Sequence, residues 1–91
     1  MEDVEAIEIP KPSAEEIKKW SPQQVLEFLE KKQAELFLNN DDIKIIKDNR
    51  VSGQAFLDLT QDDLTRVGMT LGPAKAIIKL VKEIKGEEQG N

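Results

Sequence analysis

The chain has 91 residues, with 13 Lys and Arg against 18 Asp and Glu, no Cys and no His, for a formal net charge of −5. That length suits one small domain. The missing Cys and His exclude a disulfide framework, a thiolate or imidazole metal site and a histidine general base, and no apolar run approaches the roughly 18 residues of a membrane span.

The N-terminus, "MEDVEAIEIPKPS", is acidic and lacks the basic-then-apolar layout of a signal peptide, so the expected location is cytoplasmic or nuclear. Residues 1–19 hold six acids and three bases, residues 20–86 hold ten of each, and residues 87–91 add two acids. The excess acid therefore lies in the tails. Residues 1–19 read as an acidic extension, 20–86 as the domain and 87–91 as a flexible acidic tail, the whole expected to come from a longer protein. Inside the extension, "VEAIEI" is either a strand offered to a partner or a segment that is disordered or lightly packed on the domain.

"PKP" marks an extended joint, and "SAEE" at 13–16 is a capping box that can open one helical turn. A stronger start follows in "SPQQVLEFLEKK". Ser21 is the N-cap, Pro22 takes the first helical position and Gln24 closes the box. Val25, Phe28, Leu29 and Leu36 give that helix its apolar face. "NNDDIKIIKDN" predicts a second helix, capped by Asn39 or Asn40, with Asp41 and Asp42 favoured by the positive end of its dipole. "SGQAFLDL" is a short helix capped by Ser52. In "LTQDDLTRVG", Thr60 caps, Asp63 sits at the third helical position, Leu59 can staple onto Leu64, and Gly68 supplies the left-handed stop.

The last helix, within "TLGPAKAIIKLVKEIK", is the longest. At about 100° per residue, Ala74, Ile77, Ile78, Leu80, Val81 and Ile84 share a broad apolar face, with Lys75, Lys79 and Lys82 gathered opposite. Pro73 fits the first turn, where its missing N–H has no partner to lose; Thr70 and Gly72 are alternative starts. Five helices, four of them short, predict an all-α fold: a compact bundle with a long C-terminal helix. Trp20 reads as a core anchor between the first and last helices, and the three Phe also read as core.

The order "WSPQQVLEFL", "NRVSGQAFLDLTQDDLTRVGM", "TLGPAKAIIKLVKEI" resembles the sterile alpha motif, or SAM, domain over residues 20–85. The resemblance is carried by Trp20, Val25, Leu29, Val51-Ser52-Gly53, Phe56-Leu57-Asp58-Leu59-Thr60, Asp63-Leu64, Val67-Gly68-Met69 and Gly72. Phe28 stands where the family usually has a late tryptophan, Leu36, Ile43 and Ile46 replace expected aromatics, the stretch from Leu29 to Gly53 is longer than usual, and Pro73-Ala74 replaces a frequent His-Arg pair.

The resemblance implies a protein-interaction module of a signalling, scaffold or regulatory protein, without cofactor. Its partner would be another SAM domain, self or hetero, or a different acidic-surfaced protein. The implied end-helix face comprises Leu71, Gly72, Pro73, Lys75, Lys79 and Lys82. The implied mid-loop face comprises Asp48, Asp58, Asp62 and Asp63. A joint between two such faces is heterologous and gives a filament or hetero-pair, not a closed two-fold dimer. Ala74 in place of Arg removes a bidentate donor and argues against strong self-polymerisation. Lysines outside a surface helix and acids in a first turn are also what solubility and helix dipoles produce.

The alternative is an RNA-hairpin-binding SAM domain. Net charge in the central segment is zero, acidic tails repel a phosphate chain, and no aromatic platform is evident, so nucleic acid is disfavoured. Catalysis is not expected either: "GMTLGPAK" departs from the phosphate-loop spacing, and "QDD" reads as a helix start. Nor is membrane binding, because the core claims the apolar face of the last helix.

Overall fold

Four capping boxes set the helix starts. Ser13 with Glu16, Ser21 with Gln24, Asn39 with Asp42, and Thr60 with Asp63 each exchange two side chain–backbone hydrogen bonds, satisfying donors that a helix N-terminus leaves unpaired. Ser52 caps more simply, its hydroxyl accepting from the Ala55 amide. In the computed structural model, which describes residues 12–86, seven helical pieces follow: α1 (Ala14–Ile17), α2 (Pro22–Lys31), α3 (Gln33–Leu36), α4 (Asn40–Asp48), α5 (Gly53–Leu57), α6 (Gln61–Arg66) and α7 (Leu71–Lys85). Every element among the described residues is helical, as expected, and the long helix is the last. "VEAIEI" and the 87–91 tail lie outside the described residues.

The count is seven instead of five because two single turns, α1 and α3, stand apart. Lys32 leaves helical geometry (φ −99°, ψ 5°) and separates α3 from α2. Leu36 therefore belongs to α3, not to the apolar face of α2, and reaches the core only partly. Three apolar residues in a row, Leu36-Phe37-Leu38, cannot all face inward. Leu38 is buried, whereas Phe37 is 88% exposed and sits in the left-handed region (φ 57°) that ends α3. The expectation that all three Phe are core thus fails at Phe37.

The core joins Ile17, Val25, Leu29, Ile46, Phe56, Leu64, Ile77 and Val81, with Leu57 and Met69 also buried. Burying each such side chain contributes about 1.5–3 kcal/mol relative to exposure. Ile17 comes from the segment read as an extension, yet it is fully buried. Gly53 explains how α1 approaches so closely: a Cβ there would fall on the Ile17 carbonyl oxygen, while the Gly53 amide donates to the Trp20 carbonyl at 3.0 Å. Trp20 is half-buried and meets the Phe28 ring edge-on at 5.3 Å; Phe28 in turn meets Phe56. α7 packs against α3, α5 and α6. At its far end, Lys85 Nζ donates to the Leu57 carbonyl at 2.9 Å.

Candidate functional site

Thr70 is the N-cap of α7, although its hydroxyl caps no amide. Leu71, Gly72 and Pro73 form the first turn. Pro73 brings no N–H, so the turn loses nothing at that position. The apolar face of α7 settles into the core through Ala74, Ile77, Leu80 and Val81. Two kinds of side chain remain outside: Leu71, 58% exposed, and the lysines at 75, 79 and 82, all exposed. Spacings of four and three residues put those lysines on one face. With Gln61 and Ile78 they line a groove of about 320 Å³. None of the three has an ion-pair partner among the described residues.

The acids of the other implied face are arranged differently. Asp62 accepts from Arg66 at 3.1 Å, and the same guanidinium lies 3.8 Å from Asp63. Asp63 also caps, accepting from the Thr60 amide. Asp48 accepts from Lys44 Nζ at 2.9 Å; this hydrogen bond, with the carboxylate's charge, raises the Lys44 ammonium above its ordinary pKa. Asp58 is exposed at the C-terminus of α5. Asp48 and Asp63 line different grooves. Asp48 borders the opening between α2 and α4, with Leu26, Ile43 and Lys47. Asp63 borders an apolar groove of about 200 Å³ between α4 and α6, floored by Ile45, Val51, Leu59 and Val67. Of the candidate acids, then, the structure draws Asp62 and Asp63 around one arginine and gives Asp48 a lysine of its own.

Of three apolar residues beside the two implied faces, Met69 and Leu57 are buried and Leu71 is exposed. Two exposed apolar residues were missed. Val67, 42% exposed, edges the α4–α6 groove. Phe37 edges a groove shared with Leu36, Ala76, Lys79 and Leu80. A run of three apolar residues was the sequence signal for Phe37. Val67, beside the helix-ending Gly68, carried none.

Among the described residues no helix is long and apolar enough to cross a membrane, and no group of His, Cys, Asp and Glu has metal-holding geometry. No solved structure matches the chain. The capped helices, the glycine-tight α1–α5 contact and the long last helix agree with what the family comparison finds: a model of the SAM-like domain matches residues 2–83, and the chain belongs to that family of helical modules, which generally serve protein interaction.

Proposed function

We propose that this domain binds an acidic protein surface through the outer face of α7, with Leu71 as apolar contact and Lys75, Lys79 and Lys82 as cations. One observation carries this reading: among the described residues the three lysines have no ion-pair partner around their groove, while three of the four candidate acids already have a cation. In a joint between two copies of this chain, Arg66 and Lys44 already offset part of the charge that Asp62, Asp63 and Asp48 present to another copy's lysines. An outside acidic surface meets the lysines directly. The geometry therefore favours a hetero-partner over self-association, and a role as the adaptor part of a signalling, scaffold or regulatory protein.

The test is sedimentation velocity from about 1 μM to about 1 mM, a range that spans weak to moderate affinities. The wild-type chain is expected to stay monomeric or to associate only at the top of that range. Arg66→Ala with Lys44→Ala frees the acids and is expected to promote salt-sensitive self-association. Adding Lys75→Glu and Lys79→Glu to that variant is expected to abolish it. If freeing the acids changes nothing, their pairing is not what limits self-association, and the argument that favours a hetero-partner falls.

RNA-hairpin binding gains one observation. Phe37 is an exposed aromatic beside Lys79, and exposed rings of this kind stack unpaired bases. Titration of a hairpin at low salt separates the readings: saturable binding that weakens steeply with salt and is lost in Phe37→Ala favours RNA.

A further inference from the structure

Phe37 is the most exposed large apolar side chain among the described residues, at 88%. It is also held at φ 57°, in the left-handed region where a bulky side chain is strained. Both features cost the free domain stability, and strain of this kind points to a function for the residue that bears it. Leu36, Ala76 and Leu80 continue the apolar surface beside the ring, in a groove of about 240 Å³.

Lys79 borders this groove and the lysine groove alike, so the two form one continuous surface. Both run along α7. The lysine strip covers residues 75–82 and the apolar strip residues 76–83, each about 10 Å along the helix axis. At about 100° per residue, the apolar strip lies about 100° round α7 from the lysine strip, with Lys79 between them. A partner that covers both therefore brings an acidic row and an apolar row side by side over about two turns. A helix carries two such rows on one broad face. An extended segment turns alternate side chains away and presents a single row. A phosphate chain suits the apolar strip poorly, because Glu35 and Glu83 border it and like charges repel.

We propose that the acidic partner docks as an amphipathic helix along α7, its carboxylate row on Lys75, Lys79 and Lys82 and its apolar row on Phe37, Ala76 and Leu80. The proposal rests on the reading of α7 as a docking face, and it adds the apolar half of that face. Charge sets the occupant of the lysine strip: its three cations have no ion-pair partner among the described residues. The ring sets the rest. Covering Phe37 removes an exposed aromatic surface from water, and aromatic anchors of this kind carry a large share of binding at interfaces.

The probe is a synthetic peptide of about 18 residues, long enough to hold a helix, with a glutamate row beside a leucine row. It is titrated at low salt into the isotope-labelled full chain. Saturation below about 1 mM peptide is expected, with the amides of residues 36–38 and 75–83 shifting together. Phe37→Asn removes the ring and leaves a side chain that tolerates the left-handed backbone; it is expected to weaken binding about tenfold, as loss of an anchoring ring does. A peptide of the same composition with its two rows scrambled is expected to bind about tenfold more weakly as well. Shifts confined to residues 75–82, with Phe37→Asn at the wild-type affinity, overturn the proposal and leave the lysine docking face standing. Equal binding of the scrambled peptide has the same meaning. No shift along α7 overturns both. If a hairpin RNA moves the Phe37 amide and the peptide does not, the ring is a platform for bases and the proposal falls.

Discussion

Gly53→Ala tests the tightest joint in the molecule. Gly53 is the first residue of α5, and its amide donates to the Trp20 carbonyl at 3.0 Å. A Cβ there falls on the Ile17 carbonyl oxygen, 2.7 Å from the carbonyl carbon and 3.1 Å from the Trp20 Cβ. Most of that obstacle is backbone, so no rotamer change relieves it; α1 has to move away from α5. The movement sacrifices the Gly53–Trp20 hydrogen bond, about 1 kcal/mol net. It also re-exposes part of Ile17, about 1–2 of the 1.5–3 kcal/mol that its burial contributes. The greater helix propensity of Ala returns less than about 1 kcal/mol. The expected net loss is about 2 kcal/mol, within the range for overpacked sites. Urea unfolding followed by the fluorescence of Trp20, the chain's one Trp, and by helical circular dichroism measures it. Gly72→Ala is the comparison at an open site: apart from its chain neighbours the added Cβ meets nothing within 4 Å, but Pro73 follows and disfavours helical geometry for a residue with a Cβ, so a change smaller than that of Gly53→Ala, without a gain in stability, is expected. A Gly53→Ala protein within about 0.5 kcal/mol of wild type refutes the close α1–α5 contact.

Three further outcomes are expected. Leu64→Ala, at a side chain 2% exposed, is expected to destabilise by about 2–5 kcal/mol, measured by the same urea titration; a melting temperature unchanged within a degree or two removes Leu64 from the core. Phe37→Asn replaces a bulky residue at positive φ with one that tolerates it, and a gain of about 0.5–1 kcal/mol is expected; a loss shows that the ring packs on α7. Lys75→Glu with Lys79→Glu is expected to keep the circular dichroism and melting temperature of the parent, because both side chains are exposed, while weakening binding to an acidic partner in a direct titration.

The helix starts were legible because each uses a local device whose partners lie three residues apart. Ser21, Asn39, Thr60 and their box partners announce themselves without any tertiary context. So was the inward face of α7, where 15 residues give the apolar period room to repeat. A four-residue helix offers no such repeat. α3 and the fate of Phe37 depend on where Lys32 leaves the helix, and α1 belongs to the core through Ile17 and the missing Cβ of Gly53, far along the chain. The charged residues were legible as candidates but not as a site. Sequence spacing placed Lys75, Lys79 and Lys82 together. That Arg66 contacts both acids of its own helix, while those lysines have no ion-pair partner among the described residues, follows only from the fold.

That asymmetry limits how strongly the domain can bind. Three exposed ion pairs supply about 1–3 kcal/mol together, whereas a micromolar complex requires about 8 kcal/mol beyond the entropy of association. Lysines on a solvent-facing helix therefore act chiefly by steering and orienting an acidic partner. The remainder has to come from apolar burial, and Leu71, more than half exposed beside them, supplies only about 1–2 kcal/mol. The α7 face alone thus gives a weak, fast and salt-sensitive contact. Stable assembly therefore has to recruit a second contact, for which the exposed Phe37, sharing Lys79 with the lysine groove, is the adjoining apolar surface; a partner that covers both grooves gains the ring's burial, one that covers the lysines alone does not.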